Sequence, residues 1–349
     1  MRPLLLLAIL LMSAIPFACY GRMSFDRSGT TLVDGKPFFP VGIYLYSFDS
    51  RILAEVHQQG FNTVIWGITP KDLDTLKAHG LMTVANATDE WLAAKDHPSI
   101  LAWYLLDEPE GHGKTPEDMR KEYERIQALD PNHPIGLCHY LWDALSKYKD
   151  SADFVMSDVY PVIAERGQPL TPMSDHLDQI HRIHGSNFPA WPVIQIFGGP
   201  NTDGGKWAEP TPVEVRCMTY LSLAHGAKAM LYFSYWPQLP RTWAEVSVLA
   251  RELHRLTPFL VAPSKALEVT SSANVIHTRC LQVGRSGLLI AVNSSPLFQT
   301  AALTIPKLPS SALSLPFENH RVSVKRGQLT DRFMPYGVHV YQWGEEPSL

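Results

Sequence analysis

Between residues 40 and 236 the chain repeats one pattern, in which a short apolar run ends in polar or aromatic residues and an amphipathic stretch follows. In the stretch after residue 50, Ile52, Leu53 and Val56 share one helical face. The apolar runs predict eight strands: 38–47, 61–67, 81–88, 100–108, 134–140, 153–161, 191–199 and 228–236. Alternating strands and helices predict a parallel sheet, and eight units match a closed (β/α)8 TIM barrel of the α/β class. A doubly wound open sheet is the alternative, but no Gly-rich nucleotide loop supports it.

The helices between these strands show their own start and stop signals. Thr115 precedes Pro116, Glu117 and Asp118, which predicts a capped helix start with acidic residues in its first turn. The helical candidates are 50–60, 71–80, 115–131, 174–185, 211–227 and 242–260, the last of which should cover the final barrel strand.

After residue 263 the pattern changes to short, β-branched segments separated by turn residues. This pattern predicts a small antiparallel, β-sandwich-like domain of six or more strands over residues 263–349. We expect the barrel to occupy residues 22–262 and the β-domain to support it.

The first 21 residues are typical of a secretory signal peptide. Arg2 is followed by an apolar run from Leu4 to Met12, which is too short to span a bilayer. We therefore expect a secreted or periplasmic protein without a membrane span. Cys19 could be a lipid attachment site, although Pro16 and Phe17 fit that signal poorly.

Composition narrows the class of protein further. The 349 residues are 45% hydrophobic and 18% charged, with a net charge of −4. This balance gives a sizeable core and no basic surface for nucleic acid. Cys138, Cys217 and Cys280 are too sparse for a disulfide framework, and no Cys/His spacing indicates zinc, so we expect no metal or cofactor. Asn86 and Asn293 begin glycosylation sequons.

In a (β/α)8 barrel the chemistry lies at the carboxyl ends of the strands. Here these ends carry aromatic rings, acids, amides and one histidine, which suits stacking on sugar rings and bonding to hydroxyls. The predicted substrate-binding residues are Tyr44, Tyr46, Trp66, Asn86, Asp107, His139, Tyr160, Gln195, Tyr235 and Trp236.

Glu108 is the main catalytic candidate. It follows an apolar strand, lies beside Asp107 and precedes Pro109, and such an environment favours a protonated carboxyl that can act as a general acid. The structural alternative is that Glu108 caps the next helix or pairs with an arginine. We expect Asp107 to position Glu108 or a substrate hydroxyl, and Glu110 to face solvent.

Asp158 is the second catalytic candidate, because it ends a strand two positions along the barrel and could face Glu108 across the mouth. The alternative is a structural acid that bonds to loop amides. Asp203 and Glu209 are further candidate partners, and His139 could equally be a buried histidine with satisfied hydrogen bonds.

Two segments carry a family resemblance. "LVDGKPFFPVGIYLYSFDSRILAEVHQQGFNTVIWG" (32–67) and "HPSILAWYLLDEPE" (97–110) resemble the first and fourth strands of clan A glycoside hydrolases of the β-galactosidase and β-glucuronidase type. The resemblance implies that Glu108 is the acid/base, with Asp107 in the place of an Asn. The family nucleophile is a Glu that ends strand seven, where this chain has Gln195. The resemblance therefore implies a carbohydrate-active barrel, while the amide argues against a covalent two-step mechanism.

Three functions remain open from the sequence. The first is a secreted glycoside hydrolase, the second a carbohydrate-binding barrel without catalysis, and the third a surface protein in which Asp107–Glu110 only organises a loop. A second carboxyl roughly 5 to 10 Å from Glu108 would favour hydrolysis, and an isolated Glu108 would favour binding.

Overall fold

The structure is a computed structural model that describes residues 22–200, 203–235, 239–308 and 311–348. The predicted signal peptide and Trp236 lie outside the described residues. The described chain begins with a small antiparallel sheet of three strands: β1 (Met23–Phe25), β2 (Thr31–Val33) and β3 (Lys36–Phe38). The sequence patterns did not predict this sheet, because strands of three residues are too short to show a periodicity.

Eight strands then form a closed parallel barrel, as predicted. They are β4 (Val41–Tyr44), β5 (Thr63–Ile65), β6 (Met82–Asn86), β7 (Ile100–Leu106), β8 (Ile135–His139), β9 (Phe154–Ser157), β10 (Ala190–Gln195) and β11 (Met230–Phe233). Each strand pairs with its neighbour in the chain, and β11 pairs with β4 to close the ring. The (β/α)8 prediction is confirmed, and the open sheet is excluded.

The helices pack around this barrel. They are α1 (Ser50–Gln58), α2 (Leu73–Ala78), α3 (Asp89–Leu92), α4 (Pro116–Leu129), α5 (Ala144–Lys147), α6 (Pro172–His184), α7 (Pro212–Ala224) and α8 (Pro240–Val261), with 3-10 turns at Pro70–Asp72 and Asp203–Gly205. The Thr115 cap is confirmed, since its hydroxyl accepts from the Asp118 amide at 3.1 Å. Within the described residues no helix is both long and apolar enough to cross a bilayer.

Side chains alternate along the strands between the barrel interior and the helices. On β8, Leu137 packs outward beneath α5, whereas Cys138 joins the interior cluster. At the amino end of the barrel Phe25, from β1, packs against Phe154 and Trp191 at centroid distances of 6.0 and 6.3 Å. The N-terminal sheet therefore packs against the amino end of the barrel.

The predicted C-terminal β-domain is also confirmed, as two antiparallel sheets. Its strands are β12 (Lys265–Leu267), β13 (Thr270–Ser271), β14 (Ile276–Val283), β15 (Ser286–Asn293), β16 (Gln299–Thr304), β17 (Ala312–Leu315), β18 (His320–Ser323), β19 (Gln328–Phe333) and β20 (Val338–Trp343). The sequon residue Asn293 is fully buried and donates to the carbonyls of Leu297 and Met334, so the folded chain does not present it for glycosylation.

Candidate active site

A pocket of about 110 Å³ opens at the carboxyl end of the barrel. Six predicted site residues line it, and three further residues complete the wall. The predicted ones are Tyr44, Trp66, Asp107, Glu108, Asp158 and Tyr160, and the others are Cys138, Val193 and Phe233. The pocket therefore combines three carboxyl groups and a thiol with mostly aromatic walls.

A bulge in β7 turns the acidic pair toward this pocket. The register between β7 and β8 shifts between Tyr104 and Leu106. Tyr104 belongs to the barrel interior, but Leu105 and Leu106 both pack outward against the cluster beneath α4 and α5. Two consecutive residues thus face outward, and the alternation of inward and outward side chains is shifted by one residue. Asp107 therefore points into the barrel. Bulges commonly re-aim side chains in this way next to functional sites.

The backbone at the pocket is unusual at two positions. Glu108 has φ of 41° and Trp66 has φ of 63°, a region that non-glycine residues rarely adopt. Three backbone bonds hold Glu108 there. Its amide donates to the Cys138 carbonyl at 3.2 Å, and its carbonyl accepts from the amides of Gly111 at 2.9 Å and His112 at 3.2 Å. Such conformations cost on the order of 1–3 kcal/mol each and cluster at functional sites. Both outliers here lie in the same pocket wall.

Asp158 is the most perturbed acid of the pocket. Its side chain is buried, and its carboxyl is in hydrogen-bonding contact with that of Glu108. Burial, followed by the hydrogen bond and charge of Glu108 and the charge of Asp107, raises the pKa of Asp158 well above its usual value. Its Oδ1 atom is buried and has no hydrogen-bond partner among the residues that the structure describes. Burial and the neighbouring carboxyl therefore favour the protonated form of Asp158.

Asp107 and Cys138 complete the polar cluster. Tyr104 donates its hydroxyl to Asp107 Oδ1. Burial raises the pKa of Asp107, the Tyr104 hydrogen bond works against that, and the charge of Glu108 raises it further. Burial raises the pKa of the Cys138 thiol, with the charges of Asp158 and Asp107 adding to the effect. Cys138 therefore stays a thiol that can donate to the neighbouring carboxylates.

The same cluster is the group of described side chains that comes nearest to a metal site. Ligand atoms of Asp107, Cys138 and Asp158 all lie within 4.8 Å of one another. Burial raises the pKa of the Cys138 thiol and of the Asp158 carboxyl, so both groups favour their protonated forms when no cation is bound.

The position of Asp158 differs from the one that the sequence suggested. We expected the two carboxyls to face each other across the barrel mouth, but the structure brings Asp158 into contact with Glu108. The reason is that β8, which lies between their strands, presents the small Cys138 side chain inward. The two carboxyls therefore lie side by side on one wall of the pocket.

The expectation that Glu110 faces solvent was wrong. Its side chain is 8% exposed, and its Oε2 lies 2.8 Å from His139 Nδ1. Its Oε1 accepts from the amides of Tyr140 and Leu141. Burial alone would raise the pKa of Glu110, but the His139 bond and charge and the backbone amides hold it below its usual value. Glu110 thus ties the loop after β7 to the end of β8, and His139 points away from the pocket.

Gln195 is fully buried but does not line the pocket. Its Oε1 accepts from the Val162 amide at 2.9 Å, and its Nε2 donates to the Val162 carbonyl at 2.9 Å. The same Nε2 lies 3.3 Å from the carbonyls of Phe197 and Ala208. The amide therefore holds together the loops that follow β9 and β10.

The remaining predicted residues lie at the rim or outside the pocket. Tyr46 is 60% exposed, and its ring lies 6.3 Å from that of Trp66 at the pocket mouth. Asn86 is exposed at the end of β6. Tyr235 points outward, with its hydroxyl 3.3 Å from Glu55 Oε2. Glu209 bonds to the Thr242 hydroxyl at 3.0 Å. Trp236 and the side chain of Asp203 are outside the described residues.

Sequence reasoning missed Cys138, Val193 and Phe233 as pocket residues, although the signal was present for the last two. Val193 lies two residues after the inward-facing Trp191, and Phe233 lies two residues after the inward-facing Leu231, because strand side chains alternate with a period of two. Cys138 is the one β8 residue in this interior cluster, so the alternation gave no second inward residue to identify it by. The same rule places His139, next to the inward Cys138, on the helix side.

Comparisons with known proteins bear on the fold. No family model and no curated protein sequence matches this chain. Among solved structures, a GH30 endoxylanase from Clostridium papyrosolvens C71 superposes with a TM-score of 0.57 at 11% identity, covering 93% of this chain and 98% of that one. A glycoside hydrolase superposes with a TM-score of 0.62 at 12% identity (93% and 96% coverage). An α-amylase from Geobacillus thermoleovorans, in complex with acarbose, gives 0.58 at 10% identity (88% and 98%). The chain therefore has the (β/α)8 barrel fold of these solved structures, followed by a β-domain.

Proposed function

We propose that the protein is a glycoside hydrolase that cleaves O-glycosidic bonds of oligo- or polysaccharides outside the cytoplasm, with Glu108 as its general acid/base. The observation that carries the proposal is the contact between the Glu108 and Asp158 carboxyls inside an aromatic pocket at the carboxyl end of the barrel. Export follows from the N-terminal leader pattern.

The chemistry of glycosidic cleavage needs such a pair. The leaving oxygen is a poor leaving group until it is protonated, so a carboxyl must keep its proton near neutral pH. A buried acid in contact with a second acid does so, because ionising both would place two negative charges side by side. The raised pKa of Asp158 supports the proposal, in which the proton passes through the contact to Glu108 and from there to the leaving oxygen.

The walls of the pocket suit a sugar. Trp66, Tyr160 and Phe233 offer ring faces and edges, and the exposed ring of Tyr46 extends the aromatic surface to the mouth. Sugar rings stack their CH faces on such rings, while their hydroxyls bond to acids. The structural neighbours include an endoxylanase and an α-amylase in complex with acarbose, which supports a carbohydrate ligand.

A second candidate function is carbohydrate binding without hydrolysis. The observation that favours it is Gln195, whose amide is fully used by backbone groups where the resembling family has its nucleophile. The protonated acid pair favours hydrolysis over this alternative, since binding alone gives no reason to bury adjoining carboxyls.

A panel of glycans tests the proposal. The protein without residues 1–21 is incubated with xylan, β-glucans, galactans, starch and chitin oligomers, with reducing-sugar release and calorimetric binding measured in parallel. Hydrolysis of at least one glycan supports the proposal. Binding without any hydrolysis would support the second candidate, and neither binding nor hydrolysis would overturn both.

A further inference from the structure

The spacing of the pocket carboxyls conflicts with both two-carboxylate mechanisms. Retaining enzymes place their two carboxyls about 5–5.5 Å apart, and inverting enzymes about 6.5–9.5 Å apart. Here Asp158 contacts Glu108, and it lies within 4.8 Å of Asp107. If Glu108 protonates the leaving oxygen, all three carboxyls therefore lie on the same side of the sugar carbon whose bond is cleaved.

The wall opposite Glu108 is apolar. In the closed barrel, β11 lies opposite β7, the strand that precedes Glu108. The residue that β11 contributes to the pocket is Phe233. β10 contributes Val193, and its Gln195 is occupied by backbone groups. Among the residues that line the described pocket, those on β10 and β11 carry no carboxylate that could attack a sugar carbon from the face opposite Glu108.

The pocket is also small. Its volume of about 110 Å³ is well below the roughly 300–1,000 Å³ of ordinary small-molecule sites. It can enclose one substituent of a sugar while the ring itself lies above. The unpartnered Oδ1 of Asp158 offers an acceptor at this depth, and Val193 and Phe233 offer apolar contacts.

Resting on the proposed hydrolase function, we infer that the substrates are β-linked 2-acetamido sugars and that the acetamido group of the substrate supplies the missing nucleophile. The pocket holds that group: its N–H donates to Asp158 Oδ1, and its methyl contacts the apolar wall. A 2-hydroxyl group has neither the amide hydrogen nor the methyl, and it is a far weaker internal nucleophile.

The steps balance without an added reactant except water. The acetamide carbonyl oxygen forms a bond to C1 as the C1–O bond to the leaving group breaks, and the bond electrons go to the leaving oxygen, which takes the proton of Glu108. The product is a cyclic oxazolinium ion, whose N–H is held by the Asp158 carboxylate. A water then adds to C1 and gives its proton to Glu108, while the electrons of the C1–O(acyl) bond return to the acetamide. The outcome is hydrolysis with retention.

Matched synthetic substrates test the inference. 4-Nitrophenyl N-acetyl-β-glucosaminide and 4-nitrophenyl β-glucoside differ only at C2, and we expect kcat/KM for the first to exceed that for the second by on the order of 100-fold or more. Replacing the acetyl methyl hydrogens with one, two and three fluorines should lower kcat stepwise, because fluorine weakens the carbonyl nucleophile. Asp158→Asn should lower turnover of the acetamido substrate, with the exposed Asp150→Asn as its control.

Binding gives a readout besides turnover. The thiazoline analogue of N-acetylglucosamine, a stable mimic of the cyclic intermediate, should bind more tightly than N-acetylglucosamine in calorimetry. Equal or faster cleavage of the 2-hydroxy glucoside, or turnover unaffected by fluorine, would overturn the inference and leave the hydrolase proposal standing. No cleavage of any glycoside together with no thiazoline binding would overturn both.

Discussion

At the scale of single residues, Asp158 links the site to the stability of the fold. Its pKa in the folded chain is raised well above the ordinary value of 3.8, mainly by burial and then by Glu108. The protonated group therefore favours the folded state. Its contribution to stability is complete below pH of about 4 and is lost as pH rises toward the raised folded pKa. At neutral pH the burial of Asp158 therefore lowers the unfolding free energy of the wild-type protein.

Replacing this acid with its amide should remove that cost. Asp158→Asn stays neutral at every pH, so between pH 4 and 8 the difference in unfolding free energy should move in favour of the variant, by at most about 1.4 kcal/mol per pH unit. Thermal melting of both proteins across this range measures the effect, and Asp150→Asn provides an exposed control. A difference that does not change with pH would contradict the buried, protonated pair.

Glu110 should behave in the opposite way. Its pKa is lowered in the folded chain, so its carboxylate stabilises the fold above the ordinary pKa of 4.5, and this contribution is lost as pH falls through the folded pKa. Glu110→Gln breaks a buried pair with His139 and should lower the unfolding free energy at pH 7 by about 3 kcal/mol. Urea denaturation followed by circular dichroism measures this, and an unchanged midpoint would show that the loop is held by other contacts.

At the scale of elements, the end of β7 shows what the sequence could and could not reveal. The run 100–106 is apolar throughout, so it predicts a buried strand. It does not reveal which of its side chains face the barrel interior and which face the helices. The bulge near Leu106 decides that Asp107 points inward, and it arises from pairing with β8, which is distant in sequence. The acids could therefore be predicted, whereas their contacts could not.

The end of β10 carries a separate prediction about Gln195. A carboxylate there could not donate to the carbonyls of Val162, Phe197 and Ala208, and it would place a charge among buried acceptors. Gln195→Glu should therefore lower the unfolding free energy by about 2–4 kcal/mol and add no activity. A combined melting and activity assay checks this. A stable variant that gains turnover would mean that strand seven can supply a nucleophile after all.

At the scale of the whole molecule, the barrel and the β-domain share one core. Nine of the 13 residues of α7 are buried, because the barrel covers one side and β15 the other. Leu288 and Ile290 of the β-domain belong to the same apolar cluster as the barrel helices. Arg279 of β14 also donates to the Leu223 carbonyl at 2.8 Å near the end of α7.

The barrel should therefore depend on the β-domain. A fragment of residues 22–262 exposes the outer face of α7, and we expect it to aggregate or to melt at least 10 °C below the 22–349 protein, since one or two kcal/mol already shifts Tm by several degrees. Size-exclusion chromatography and calorimetry compare the two. A monomeric fragment with an unchanged Tm would show that the β-domain is an independent attachment.

Fold and site were predictable to different extents for a physical reason. The barrel could be predicted because an apolar run followed by an amphipathic stretch recurs eight times along the chain. The β-domain could be predicted because this pattern changes to short β-branched segments after residue 263. The N-terminal sheet, the burial of Glu110 and the contact of Asp158 with Glu108 depend on tertiary neighbours that no local pattern encodes. The sequence thus indicates which chemistry is present, and the packing decides which groups act together.

The most direct test of the account is the turnover of Glu108→Gln on the best glycoside from the panel. The amide keeps the shape of the side chain but cannot deliver a proton, so kcat should fall on the order of 100-fold or more while Tm changes by no more than a few degrees. The exposed Glu90→Gln is the matched control and should retain full activity. Near-normal turnover of Glu108→Gln would contradict the assignment of Glu108 as the acid, and a collapsed melting transition would show that Glu108 serves the fold instead.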